Sequence, residues 1–249
     1  MPEHALTDSD PFALLAPLAS LIVERRDDRP FVVGLGGGVS VGKSTTAGHL
    51  AQVLRAHDPS LAVEVVSTDG FLLSNARLEE LGLTIEKGSP RTYDLGALAA
   101  FIGAVQRGET GLVAPAYSHL TYDVADGSHE LGEPDVVILE GLNVVTVDRG
   151  VVDLVDLSVF LAADPDDVRN WFVERFMRLR AEAVGAPSTF FHQFVALDDD
   201  AARAFAVWTW NEINLPVFDE HVGPARPLAD VVLEKGPDHR IRSVVPIGR

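Results

Sequence analysis

Apolar residues along this chain fall into short blocks separated by amphipathic stretches. Phe31-Val32-Val33-Gly34-Leu35 is an unbroken run, and Leu61 to Thr68, Val136 to Leu139 and Leu157 to Leu161 repeat the pattern. Runs of this length, rich in Val and bounded by turn residues, predict strands buried on both faces. Helix patterns lie between them. Phe12 to Val23 is apolar enough for one helix, ended by Arg25-Arg26-Asp27-Asp28. Ser44 to Ala56 follows a glycine-rich turn and stops before Pro59. Asp94 is placed to cap a helix reaching Gln106, with Gly108 beyond it. Asp164-Pro165-Asp166-Asp167 sets a cap, a proline and two acids at the positive end of a helix that reaches Arg180. Ala201 to Trp210 is a further helix, and Val113 to Tyr117, Ala229 to Leu233 and Ile241 to Val245 are strand candidates. Phe71 to Thr92 has little periodicity and reads as a long functional loop. Tyr122 to Gly132 reads as a polar excursion.

Strands alternating with helices predict an α/β fold, a mainly parallel sheet with helices on both faces. No repeat, low-complexity tract or linker divides the 249 residues. A single domain is expected, with residues 1–30 as a short helical preface and the excursions as a lid or substrate rim.

Charge changes the expected partners. Twenty basic against 37 acidic residues give a net charge of −17. Such a surface repels nucleic acid and anionic lipid at long range, so neither is an expected partner. With no cysteine, disulfides, thiolate metal sites and cysteine nucleophiles are excluded. The acids Glu3, Asp8 and Asp10 do not suit a signal peptide, and no apolar run approaches the ~20 residues that span a bilayer. A cytoplasmic location is expected.

Candidate chemistry starts at Gly37-Gly38-Val39-Ser40-Val41-Gly42-Lys43-Ser44, which matches G-x-x-x-x-G-K-[ST] and runs on into Thr45. Glycines let backbone N–H groups curl around phosphate oxygens, and the helix that follows aims its positive end at the same anion. Lys43 is then placed for the β- and γ-phosphates and Ser44 for Mg²⁺. A flexible glycine turn is the bland alternative; the position between a strand and a helix decides against it. The fold expected is therefore of the P-loop NTPase type. Ligands of parallel α/β sheets gather at the carboxyl ends of strands. Asp69 follows the strand ending at Thr68 and is assigned as general base or hydroxyl orienter. Glu140 ends the strand Val136 to Leu139 and is assigned to the Mg²⁺ shell. A turn aspartate and a solvated strand end are their bland alternatives.

Beyond these, the chain resembles the type I pantothenate kinases from Val33 to Val245. The resemblance rests on an ordered set: Gly42-Lys43-Ser44-Thr45-Thr46, Thr68-Asp69-Gly70-Phe71, Lys87-Gly88 with Tyr93-Asp94, Tyr117 to Asp123, and Glu140-Gly141-Leu142-Asn143-Val144. Glu174-Arg175-Phe176, Phe191-His192 and Glu212-Ile213-Asn214 complete it. Uridine kinases and phosphoribulokinases share the cradle but lack most of the rest. The resemblance implies an enzyme that uses ATP and Mg²⁺ to convert pantothenate to 4′-phosphopantothenate, the first step of coenzyme A biosynthesis. It implies Asp69 as base, Lys87, Tyr117, His119 and Asn214 around the alcohol substrate, and Arg175 approaching the phosphates. Phe172, Arg175, Phe176 and Leu179 also share one helix face by spacing. An arginine on an apolar stripe calls for an anion, either ATP phosphate or a carboxylate of the chain itself.

The chain departs from the family at Phe172, Phe190 and Phe194, where the family usually carries aromatics with hydroxyls. These three are assigned to the substrate wall, with ordinary core packing as the alternative. Gly48 stands where the family commonly has an arginine that helps hold coenzyme A, so weak inhibition by coenzyme A is expected. The preface is shorter than usual, and a homodimer is left open. Two rival readings remain. One is a kinase for another small hydroxylated metabolite or nucleoside. The other is a non-catalytic nucleotide-binding regulator, against which the joint presence of Lys43, Ser44, Asp69 and Glu140 argues.

Overall fold

The computed structural model describes residues 12–146 and 151–247. The apolar runs form the strands β1 (Phe31–Gly37), β2 (Val63–Ser67), β5 (Val136–Glu140), β6 (Leu157–Ala162) and β7 (Val231–Lys235) of one sheet, closed by β8 (Ile241–Pro246). Their order is β2-β5-β1-β6-β7-β8, parallel except for the β7–β8 hairpin. β3 (Val113–Ser118) and β4 (Asp123–Glu130) make a separate antiparallel hairpin.

Alternation along β1 explains the layers. Phe31, Val33 and Leu35 face α1 (Ala16–Arg25), α2 (Lys43–His57) and α5 (Pro165–Glu182), contributing to the principal core with Leu18, Leu50 and Trp171. Val32 faces the other way, into a second core with Leu98, Phe101 and Ile102 of α4 (Leu95–Gln106). β1 also turns Gly34 and Gly36 to that second face. A Cβ at these positions would lie 2.6 Å from Val144 and 2.8 Å from Val145, so bare backbone lets the chain after β5 lie against the sheet.

Asp94 and Asp164 cap their helices, accepting from Ala97 N and Asp166 N respectively. The helix predicted over Ala201–Trp210 is α6 (Asp199–Thr209), capped by Asp198. It continues through π-type turns at Trp210–Asn214 and Phe218–Val222. Two expectations need correction. The stretch Phe71–Thr92 is not all loop: it holds α3 (Asn75–Glu80), capped by Ser74. The polar stretch Tyr122–Gly132 is largely the strand β4. β4 residues are mostly exposed, so the strand stands off the core and lacks the alternating pattern that burial imposes. The acidic residues Glu3, Asp8 and Asp10 lie outside the described residues. Among those described, no helix is long and apolar enough to cross a membrane.

Candidate active site

Sheet register fixes where the candidate groups emerge. Leu35 and Ser67 both pair with Glu140, so β2 and β5 end level and β1 runs two residues further. The P-loop leaves the sheet two residues after Leu35, and Asp69 stands two residues after Ser67. Gly141, next to Glu140, has no room for a side chain: a Cβ there would lie 1.7 Å from Thr68 Oγ1. The strand ends are thereby packed tightly under the cleft.

The P-loop has the backbone its sequence demands. Gly37 and Gly42 take φ of +143° and +91°, in the region open to glycine, and Ser40 takes +59°. Lys43 Nζ donates to the Gly38 carbonyl at 2.9 Å, folding the side chain over its own loop. Ser44 Oγ donates to Glu140 Oε1 at 2.9 Å. Burial lowers the Lys43 pKa, opposed by the charges of Glu140 and Asp69 and reinforced by the guanidinium of Arg175. One ammonium thus feels all three groups assigned from sequence. Arg175 makes no ion pair or hydrogen bond among the described residues, so a structural carboxylate partner for it is not seen there.

On the acceptor side, Tyr93 OH donates to Asp69 Oδ1 at 3.2 Å. Burial, then the charge of Asp69, raises the Tyr93 pKa well above its ordinary value, so the phenol stays protonated and remains a donor. Lys87 Nζ donates to Asn75 Oδ1 and to the Tyr122 carbonyl, both at 2.6 Å. The same ammonium lies 4.6 Å from the Tyr122 ring centroid and 5.2 Å from that of Tyr117. Burial lowers the Lys87 pKa, while Asp123 and Asp69 oppose the shift. His119 sits edge-on to Tyr117 at 5.2 Å. Loss of hydration, then Arg175, lowers its pKa, which favours neutral imidazole. Asn214 shares a cleft with Gly38, Val39 and Lys87. Lys87 and Asn214 thus share a cleft with the P-loop, while Tyr117 and His119 line a second cavity with Val66 and Ser67 of β2.

Asn75 was not singled out from sequence. Besides accepting from Lys87, it donates through Nδ2 to the Tyr122 carbonyl at 3.0 Å, and its backbone N–H donates to Asp123 Oδ1 at 2.9 Å. It ties α3 to the hairpin turn, where Tyr122 has a φ of +57°. Its only sequence signal is the preceding cap residue, Ser74.

Residues 32–200 match the model of the phosphoribulokinase / uridine kinase family. A pantothenate kinase of Sorangium cellulosum is 46% identical over 222 residues, 87% of this chain and 72% of that protein. One from Brucella ovis is 42% identical over 234 residues, 90% of this chain and 73% of that protein. The chain belongs to the phosphoribulokinase / uridine kinase family, among its pantothenate kinases. Solved structures agree on the fold. One from Silicibacter sp. TM1040 is 27% identical with a TM-score of 0.68, covering 84% of this chain and 95% of its own. The D-glycerate 3-kinase of Cryptococcus neoformans, 16% identical, has a TM-score of 0.62 over 94% of this chain and 97% of its own, a likeness of fold alone.

The three phenylalanines that depart from the usual pantothenate kinase pattern occupy different surroundings. Phe190 stacks on Tyr122, with centroids 4.6 Å apart and planes at 22°, and its N–H donates to the Leu120 carbonyl at 2.7 Å. It therefore joins the hairpin to the rim. Phe194 packs among Phe176, Phe190 and Phe205. Phe172 tilts against Trp210 at 5.8 Å, between the principal core and the aromatic cluster around Phe176. Sequence spacing could not separate these surroundings.

Proposed function

We propose that this chain transfers the γ-phosphoryl group of ATP to the 4′-hydroxyl of pantothenate. The observation that carries this reading is geometric: Ser44 of the P-loop donates to Glu140 at the end of β5 at 2.9 Å, and Asp69 follows the neighbouring strand end at Ser67, which pairs with that same Glu140. The likeness to pantothenate kinases supplies the acceptor. The P-loop N–H groups and Lys43 bind the phosphates. Arg175 adds a second positive charge where negative charge develops, and Asp69 orients the acceptor oxygen and takes its proton. Tyr93 holds the Asp69 carboxylate in place. Lys87, Tyr117, His119 and Asn214 line the acceptor's path, with Phe190 and Phe194 in its wall and Phe172 behind them.

The oxygen set on the P-loop side suits Mg²⁺. Ser44 and Glu140 are two hard donors in mutual contact, and Mg²⁺ takes one or two protein oxygens with the rest from phosphate and water. Among the described residues no group of three or more histidine, aspartate or glutamate side chains could hold a metal alone. When bound, Mg²⁺ supplies positive charge to the transferring phosphates. The mechanism otherwise rests on positioning and electrostatics.

A screen of ATP consumption with pantothenate beside other small alcohols and nucleosides, read by mass spectrometry, tests the assignment. Formation of 4′-phosphopantothenate as the dominant product is expected. Preference for another acceptor would favour the rival enzyme reading, motivated by the hydroxyls missing at Phe172, Phe190 and Phe194. ATP binding with no phosphorylated product from any acceptor would favour the regulator.

Gly48 gives a separate test. Nothing lies within 4 Å of the place its Cβ would take, so a β-carbon meets no neighbour there. Gly48→Arg is expected to bind coenzyme A more tightly than the native chain, lowering the inhibitory concentration by about tenfold for one charge-assisted contact. Equal inhibition of the two proteins would contradict the expectation.

A further inference from the structure

Of the twenty basic residues that the chain carries, three are lysines, Lys43, Lys87 and Lys235, and the remainder are arginines. The arginines include carboxylate ion-pair partners such as Arg26, Arg29, Arg91 and Arg180. The lysines behave differently. Among the described residues none of them has a carboxylate partner. Lys43 donates to the Gly38 carbonyl, Lys87 to Asn75 and the Tyr122 carbonyl, and Lys235 to the Val41 carbonyl at 2.9 Å. Two of the three belong to the cleft already described, and the third reaches the same P-loop from the far side.

Lys235 ends β7, and alternation puts it on the face of Val231 and Leu233, toward α2 and α5. Its ammonium lies 5.6 Å from the Trp171 ring centroid, a cation–π contact from α5. A Cβ on Gly42 would lie 2.7 Å from the same nitrogen, so the ammonium occupies the space beside the residue at which the P-loop enters α2. Burial lowers the Lys235 pKa. A cation kept half-buried with a single carbonyl partner is costly unless an anion arrives nearby.

We infer that Lys235 is a positioning residue of the phosphate cradle: by holding the Val41 carbonyl it fixes the peptide before Gly42, so that the N–H groups at the start of α2 point at the nucleotide's β-phosphate. A compact ammonium suits this place beside Gly42; a planar guanidinium presents a broad fork and does not. The inference rests on the nucleotide half of the proposed function and needs no particular acceptor.

The test compares the native chain with Lys235→Met and Lys235→Arg, using equilibrium binding of ATP, ADP and adenosine, and the KM of each co-substrate. Lys235→Met is expected to weaken ATP and ADP by about tenfold, the scale of one charge-assisted hydrogen bond. Adenosine affinity and the KM for the acceptor should stay within about twofold, because neither reads the cradle. Lys235→Arg should fail to restore ATP affinity. Amine acylation of the native protein, followed by mass spectrometry at each lysine, requires no variant. ADP should protect Lys235 together with Lys43, and adenosine should protect neither. Unchanged ATP affinity in Lys235→Met, an equal loss for adenosine, full recovery in Lys235→Arg, or acylation of Lys235 indifferent to ADP would each overturn the inference. A native chain that binds ATP but spares pantothenate would sink only the acceptor assignment.

Discussion

Asp69→Asn is expected to lower turnover by about a thousandfold while leaving ATP affinity within about twofold, within the range for loss of a general base. The amide keeps the shape and can still accept from Tyr93, whose hydroxyl lies 3.2 Å from the carboxylate. It cannot take the acceptor's proton. Among the described residues Asp69 makes no hydrogen bond to the P-loop, so the nucleotide contacts there are expected to persist. The check is a steady-state assay of product formation alongside equilibrium ATP binding. A loss confined to ATP affinity, with turnover preserved at saturation, would remove Asp69 from the chemistry.

Arg175→Ala should cost about a hundredfold to a thousandfold in turnover, below or at the low end of what an arginine contributes to phosphoryl transfer elsewhere. The argument is electrostatic. Arg175 has no ion-pair partner among the described residues, yet its charge acts on Lys43, His119 and Tyr117. A guanidinium without an ion-pair partner, close enough to act on the Lys43 ammonium, is favourable when the ATP polyanion is bound beside both. Arg175→Lys should recover little, because a point charge lacks the planar fork. Single-turnover kinetics at saturating ATP would separate this from a binding defect. Wild-type turnover in Arg175→Ala would make the residue structural.

Local signals made much of this molecule legible in its sequence. The strand runs, the acidic helix caps at Asp94 and Asp164, and the P-loop all depend on neighbours in the chain, and they appear where periodicity and turn chemistry put them. The placement of Asp69 and Glu140 at one edge was readable because strand ends in a parallel sheet gather there, and the register Leu35–Glu140–Ser67 realises that rule. What failed to show was non-local or weakly buried. β4 is solvated along most of its length, so no alternation marks it. α3 spans six residues, too few for a periodic face, and owes its start to Ser74. Asn75 matters through Lys87 and Tyr122, which lie 12 and 47 positions away. The separate surroundings of Phe172, Phe190 and Phe194 are likewise set by tertiary packing, since each reads as an aromatic near a helix. Lys235 gives no motif at all; its meaning emerges from the scarcity of lysine combined with where β7 ends.

The most direct test is a crystal structure of the chain with Mg²⁺, a non-transferable ATP analogue and pantothenate. The γ-phosphorus should lie between Lys43 and Asp69, with Arg175 on its oxygens and the 4′-hydroxyl within about 3 Å of the Asp69 carboxylate, as hydrogen-bonded proton transfer requires. Pantothenate seated with that hydroxyl turned away from Asp69, or a triphosphate tail that bypasses Lys43, would contradict the account.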